Sequence, residues 1–403
     1  MFWCPYIRWF PSLCKPTKQY LFTINWYTES HEIFYLITFF SPTLGNLFLL
    51  IASWFFEKRA KMALQTETIV QPSAPNPGVI DIDTDFADTD GDSVNSIGGG
   101  SSFGTSLSSS ILEYRYENGR RYHGYRNGSY MLPNDEAEQE RLELHHHIFR
   151  LVLGGRLFRA PITAKPKRVL DFGTATGAWA MDFADEFQSA TVIGNDLSPI
   201  QPSWVPPNCK FYVDDVESEW VYTPNEAFDF IHARGMGGSI KDWNTLYNRA
   251  LQHLKPGGWI EMQEYEAWVS SDDDPTLKKC PNTARWLALI DEASIKFGKR
   301  MNVACEQKQN LIDAGFKNVR DDVYKVPMGT WPKDPKLKEM GAFQMEHMCN
   351  CIESFSLALF TRILGWKMDE TQLLCNAVRK EFRDPKNHLL TTFHFVYGQR
   401  PTS

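Results

Sequence analysis

The stretch Arg168-Val-Leu-Asp-Phe-Gly-Thr-Ala-Thr-Gly-Ala-Trp179 constrains this chain more than any other. A short apolar strand, Val169 to Leu170, runs into an acid, Asp171. Gly173 and Gly177 follow, and Ala178 to Phe187 can start a helix. Strand, glycine turn and helix together make a nucleotide-cofactor cradle, because a helix N-terminus and a glycine-rich turn present backbone N–H groups. The acid at the mouth of the turn narrows the ligand. A carboxylate there would repel a pyrophosphate, and suits a ligand carrying an amino group and a sulfonium.

The surrounding pattern predicts the fold class. Strands are expected at Arg168–Leu170, Thr191–Gly194, Lys210–Val213, Phe228–His232 and Trp259–Gln263, separated by helices at Ala178–Phe187 and about Trp243–Leu254. Strands that alternate with helices form a parallel, doubly wound α/β sheet. Val319–Val326 and Leu389–Tyr397 read as two late strands forming an antiparallel edge, for a mostly parallel seven-stranded sheet. Between them, helices at Pro335–Gly365 and Glu370–Phe382 read as a helical lid insertion, about 335–384, rising over the strand ends. Ahead of the sheet, Pro133 to Glu140 opens a leading helix, with Asn134 or Asp135 as N-cap and acids in its first turn. Gly154-Gly155 ends it.

Ligands of such sheets bind outside the carboxyl ends of the strands. Asp196 ends the second strand, 25 residues after Asp171, about where a ribose-binding acid is expected; its plain alternative is a turn acid before Ser198-Pro199. Asp214 and Asp215 close the third strand. One of them could accept from an adenine amino group, since adjacent strand residues point apart; the alternative is a cap for Glu217 to Trp220. Arg234 could bind a carboxylate of cofactor or substrate bidentately. His232 and Glu264 are candidates for orienting an acceptor group, His232 reading equally as a satisfied core histidine. S-adenosylmethionine meets all of these donors and acceptors. His145-His-His147 is not a metal site, because consecutive helical residues point about 100° apart.

The net charge of −7 offers no basic footprint for direct nucleic-acid binding. The eight cysteines are scattered, with no zinc spacing, and read as free thiols of a reducing compartment, cytoplasmic or nuclear. Residues 1–62 stand apart. Ile33 to Phe56 has no charged residue and is long enough to span a bilayer. The flank Glu57 to Lys61 would leave a membrane-anchored enzyme in the cytosol. Two alternatives are a hydrophobic accessory hairpin and a true start at Met62. Residues 63–110, with Pro72, Pro75 and Pro77, an acidic run and Gly98 to Ser102, are expected to be a disordered acidic linker. Asp88, Asp90 and Asp92 mimic a calcium loop but lack the twelfth-position glutamate. Residues 111–403 are the expected folded domain.

Four segments carry a resemblance: Val169 to Gly177, Asn195-Asp-Leu-Ser-Pro199, Asp214-Asp-Val-Glu217, and Leu254-Lys-Pro-Gly-Gly-Trp-Ile-Glu-Met-Gln-Glu264. They resemble class I S-adenosylmethionine-dependent methyltransferases. Tyr122-His-Gly-Tyr125, Tyr130 to Glu136 and Arg141 to His145 narrow this to the fungal TAM-domain, LaeA-like group. The resemblance spans about residues 115–400. It implies a Rossmann-like fold and S-adenosylmethionine as cofactor. Asp171, Gly173, Thr174 and Gly177 would hold its methionine part, Asp196 the ribose, and Asp214 or Asp215 the adenine. Tyr130 and Arg141 would close over it, and Arg234 would join the cofactor set. Ala175 departs from the group's glycine turn. The resemblance implies methyl transfer to a small molecule of secondary metabolism. The alternative it allows is a regulator acting through protein partners.

Overall fold

In the computed structural model, residues 7–9, 20–27, 32–39, 78–83 and 114–402 are described. The chain divides into two units, Met1–Gln71 and Pro72–Ser403. In the first, β1 (Ile7–Trp9), β2 (Tyr20–Tyr27) and β3 (Glu32–Phe39) pair antiparallel in that order. Residues 33–39, which a membrane helix over Ile33–Phe56 would include, are therefore strand. Their aromatic and β-branched run favours extended backbone. Residues 40–56 lie outside the described residues. Among the described residues no helix is long and apolar enough to cross a membrane.

Residues 78–83 fall inside the expected disordered linker, yet they lie on the folded domain. Ile80 is buried, Ile82 bridges Pro332, and the Asp83 N–H donates to the Trp331 carbonyl (2.8 Å). Asp83 also pairs with Lys338. Two apolar residues between acids are enough to seat a short strap that composition alone assigns to the linker. The remainder of 63–110 and the mock calcium loop lie outside the described residues.

A small hairpin, β4 (Arg115–Glu117) and β5 (Arg120–Tyr122), precedes the leading helix α1 (Glu136–Val152). Of the two N-cap candidates Asp135 is the one used, its side chain accepting from the Glu138 N–H (3.0 Å). The strands β6 (Arg168–Phe172), β7 (Thr191–Asp196), β8 (Cys209–Val213), β9 (Phe228–Arg234) and β10 (Leu254–Tyr265) run parallel. Helices α2 (Ala178–Glu186) and α3 (Trp243–His253) connect them. α4 (Pro281–Phe297) and α5 (Gln307–Asp313) lead to β11 (Lys317–Pro327); α6 (Pro335–Ala358) and α7 (Met368–Phe382) lead to β12 (Leu390–Gln399). The seven-stranded order is β11-β12-β10-β9-β6-β7-β8, and only β12 runs against its neighbours. This is the expected doubly wound, mostly parallel sheet with its antiparallel edge.

The insertion is packed more firmly than a flap. α6 leaves α-geometry at Ala358 for a single π turn, Leu359–Ile363. Phe355 and Phe360 share one core with Phe149 of α1, Trp286 of α4 and Phe393 of β12. These aromatics bury about 150–250 Å² each, so α6 and α1 hold a fixed relation above the strand ends. The six described cysteines are all free.

Candidate active site

The β6–α2 turn is built on left-handed backbone. Gly173 has φ +64° and Gly177 φ +83°; a Cβ at Gly177 would lie 2.4 Å from the Phe211 ring, and one at Gly173 2.3 Å from the Met236 sulfur. Ala175 also sits at φ +53°, a conformation costing a side-chain-bearing residue ~1–2 kcal/mol. Two bonds hold it there: its N–H donates to Asp196 (3.0 Å) and its carbonyl accepts from Gln201 (2.6 Å). Asp171 is buried and uses both oxygens within the fold. One accepts from the Thr174 hydroxyl (2.6 Å), and the other faces Nδ1 of His232 (2.7 Å).

Two clefts of about 810 and 820 Å³ open above the strand ends and share Tyr130, Leu142, Gly173, Ala175, Arg234 and Gly235, so they form one trough. The far end of the second holds Asp196, Asp214, Asp215 and Val216. The first holds Asp171, Thr174, Arg141, His145, His232 and Glu264. Gly177 lines neither cleft; it sits behind the turn, against Phe211.

Asp196 accepts from the Ala175 and Ser198 N–H groups (3.0 and 2.9 Å). Burial, joined by the charge of Asp171, still raises its pKa to about 6. Asp215 accepts from the Glu217 N–H (2.9 Å) and pairs with Arg126 (3.1 Å), which leaves Asp214 the more exposed carboxylate of the two. Tyr130 lines both clefts, and burial raises its phenol pKa.

The two arginines differ. Arg141 grips Glu138 with two bonds (2.6 and 2.9 Å) and reaches Nε2 of His347 (2.7 Å). It is neutralised, and it ties α1 to α6 rather than closing over the trough as a free cation. Arg234 has only uncharged hydrogen-bond partners, Gln263 Oε1 (2.8 and 3.0 Å) and His146 (3.0 Å), and lies over the Phe149 ring (4.3 Å). Burial lowers its pKa to about 10. A half-buried cation without an anionic contact is costly until an anion arrives.

His232 is fully buried and stacks on Trp179 (3.6 Å between centroids); burial lowers its pKa despite Asp171. Glu264 accepts from the Met236 N–H (2.8 Å), and burial pushes its pKa up to about 7. It therefore holds the loop after β9 through one of its oxygens. The three consecutive histidines diverge: His145 stacks on His347, His146 meets Asp182 and Arg234, and His147 meets the edge of Phe343. The sequence reading missed His145, Tyr265 and Met301 as cleft residues; Phe355, which it leaves open between pocket and core, lines the cleft. They come from four separate segments, and no local motif joins them.

A family model described as a methyltransferase domain matches residues 144–298. Methyltransferase pytC of Aspergillus terreus is 42% identical over 333 residues, covering 82% of this chain and 99% of its own. Secondary metabolism regulator LAE1 of Cochliobolus heterostrophus is 36% identical, covering 71% of this chain and 94% of its own. Protein-methionine methyltransferase laeA of Emericella nidulans is 32% identical, covering 72% and 77%.

Proposed function

Because the chain belongs to the class I S-adenosylmethionine-dependent methyltransferases, in the LaeA-like group, we propose that its trough holds the cofactor lengthwise and serves methyl transfer to a small molecule of secondary metabolism. Asp196 receives the ribose hydroxyls, and Asp214 or Asp215 the adenine amino group beside Val216. Gly173 and Thr174 let the methionine part pass close to the turn. Asp171 acts from beneath by fixing that turn. Arg234 meets the methionine carboxylate. Tyr130 covers the junction.

The observation that carries this reading is the polarity of the trough. Asp196, Asp214 and Asp215 line the far end, and Arg234, which among the described residues has no carboxylate within hydrogen-bond reach, stands where the two clefts join. The sulfonium supplies an activated methyl, so the chain's main task is to align donor and acceptor. Free cysteines support a cytoplasmic or nuclear setting. Calorimetry with S-adenosylmethionine tests the reading, followed by a search for products heavier by one methyl group in metabolite extracts. Absence of binding would sink it.

A second reading has its own support in the relatives named as regulators: the fold acts through protein partners. A partner captured only when residues 1–110 are present favours it.

A further inference from the structure

Beyond the cofactor, the first cleft continues between α1, the end of β10 and α6, lined by Leu132, His145, Tyr265, Ala267, Met301 and Phe355. Among the described residues its charged neighbours are engaged once the cofactor carboxylate meets Arg234, which has only uncharged hydrogen-bond partners in the fold. Arg141 is bound by Glu138, Asp171 by Thr174 and His232, and Glu264 by the loop N–H of Met236. His145 is different. It is 5% exposed, and its Nε2 has no hydrogen-bond partner. Its ring stacks on His347 (4.2 Å between centroids) and meets Tyr265 edge-on (4.8 Å). It lies close to Gly235, at the junction of the two clefts. Burial, then the neighbouring His347 and Arg141, keep it uncharged. His232 also has an unpartnered Nε2, but it lies two residues deeper in β9 and is pressed flat on Trp179. An unpaired buried nitrogen costs ~1–3 kcal/mol, which a ligand can recover.

We propose that His145 Nε2 is the hydrogen-bond partner of the methyl acceptor, and that this chamber takes an uncharged, largely apolar molecule bearing a hydroxyl. The inference rests on the cofactor reading above. A neutral imidazole matches a hydroxyl, which can donate or accept, whereas a carboxylate would find no free cation in the chamber. In the transfer, the sulfur–methyl bond breaks as the oxygen–methyl bond forms. The bonding pair stays on sulfur, giving the neutral thioether. The hydroxyl proton leaves to solvent along the trough, while His145 holds the hydroxyl by a hydrogen bond and stays uncharged.

The test uses the full chain saturated with S-adenosylhomocysteine and three probes of one shape: 1-naphthol, 1-methoxynaphthalene and 1-naphthoate. Calorimetry should show naphthol binding at least tenfold more tightly than the other two. His145→Phe should abolish that preference and His145→Gln should keep part of it, while both still bind S-adenosylhomocysteine. Equal binding of naphthol and methoxynaphthalene, tighter naphthoate, or an undiminished preference in His145→Phe overturns the proposal. Failure of wild type to bind S-adenosylhomocysteine overturns the cofactor reading instead.

Discussion

Asp196→Asn separates what the fold requires at this position from what a ligand requires. The carboxyl has a pKa of about 6 in place of 3.8, chiefly through burial, with Asp171 adding to it against the N–H groups of Ser198 and Ala175. At about 1.36 kcal/mol per pKa unit, an ionised Asp196 costs the unliganded fold ~3 kcal/mol at neutral pH. The sign follows from proton binding. Between pH 3.8 and about 6 the folded chain holds this proton more tightly than the unfolded chain. Stability therefore falls as pH rises through that window, and the full cost stands above it. Asparagine removes the charge and keeps the shape. Its NH₂ must then oppose one of the two backbone N–H groups, which costs ~1–3 kcal/mol. Urea unfolding at pH 7.5 should show the unliganded variant between unchanged and ~2 kcal/mol more stable. Binding should move the other way. Hydrogen bonds to an ionised carboxylate contribute ~1.5–3 kcal/mol each, so S-adenosylhomocysteine should bind roughly 10–100-fold more weakly by calorimetry. Wild-type affinity should also fall as pH drops below about 6, where Asp196 protonates, and the variant should lack that dependence. Binding within threefold of wild type refutes the ribose role. A stability loss above ~1 kcal/mol refutes the strain reasoning.

Arg141→Met should destabilise the fold by ~3–5 kcal/mol, because Glu138 would be left as a buried, uncompensated charge. Adding Glu138→Gln should recover most of the loss, and the urea midpoints of single and double variants decide it. His394 lies between Asp321 and Glu266, whose hydrogen bonds outweigh its burial and raise its pKa to about 9 from 6.5. Its contribution is complete below pH 6.5 and is lost as pH rises through about 9. His394→Gln should flatten the thermal midpoint across that window. Ile80→Asp should release the 78–83 strap, at a cost of up to ~3 kcal/mol of apolar burial. Amide exchange should then quicken at Asp83 and Lys333, whose N–H groups bond the Trp331 and Asp81 carbonyls; unchanged exchange would mean the strap contributes nothing there.

The parts of this protein that sequence reading reached are those whose chemistry is local. The β6–α2 turn is legible because left-handed backbone needs glycine within a few residues of a strand end. Asp196 and Asp214–Asp215 are legible because a parallel sheet places the ends of β7 and β8 beside that turn. β11 and β12 were located as well, although β12 lies between β11 and β10 and is buried along most of its length, and β11 is buried only towards its end. Local reading placed Arg141 and Glu264 at the cleft and did not see how the fold engages them. Arg141 looked like a ligand-facing cation, and Glu264 like an acid facing the acceptor. Their partners, His347 and the Met236 N–H, lie 206 and 28 residues away.

The acceptor chamber is hidden for the same reason, carried further. His145 reads as the first of three histidines on a helix, and its meaning depends on His347 and Tyr265, which stack and abut its ring. Neither contact has a sequence period. What sets its chemistry is subtraction: Arg141, Asp171 and Glu264 are satisfied within the fold, and His232 is pressed flat on Trp179, which leaves the neutral His145. Motif reading registers the residues that are present. The specificity of this chamber comes from which of them are already spoken for, and that depends on α6 packing against α1 through the Arg141, Glu138 and Ser354 bonds. Loosening that contact should therefore change acceptor preference before it changes cofactor affinity, since Asp196 and Gly173 belong to the sheet side of the trough.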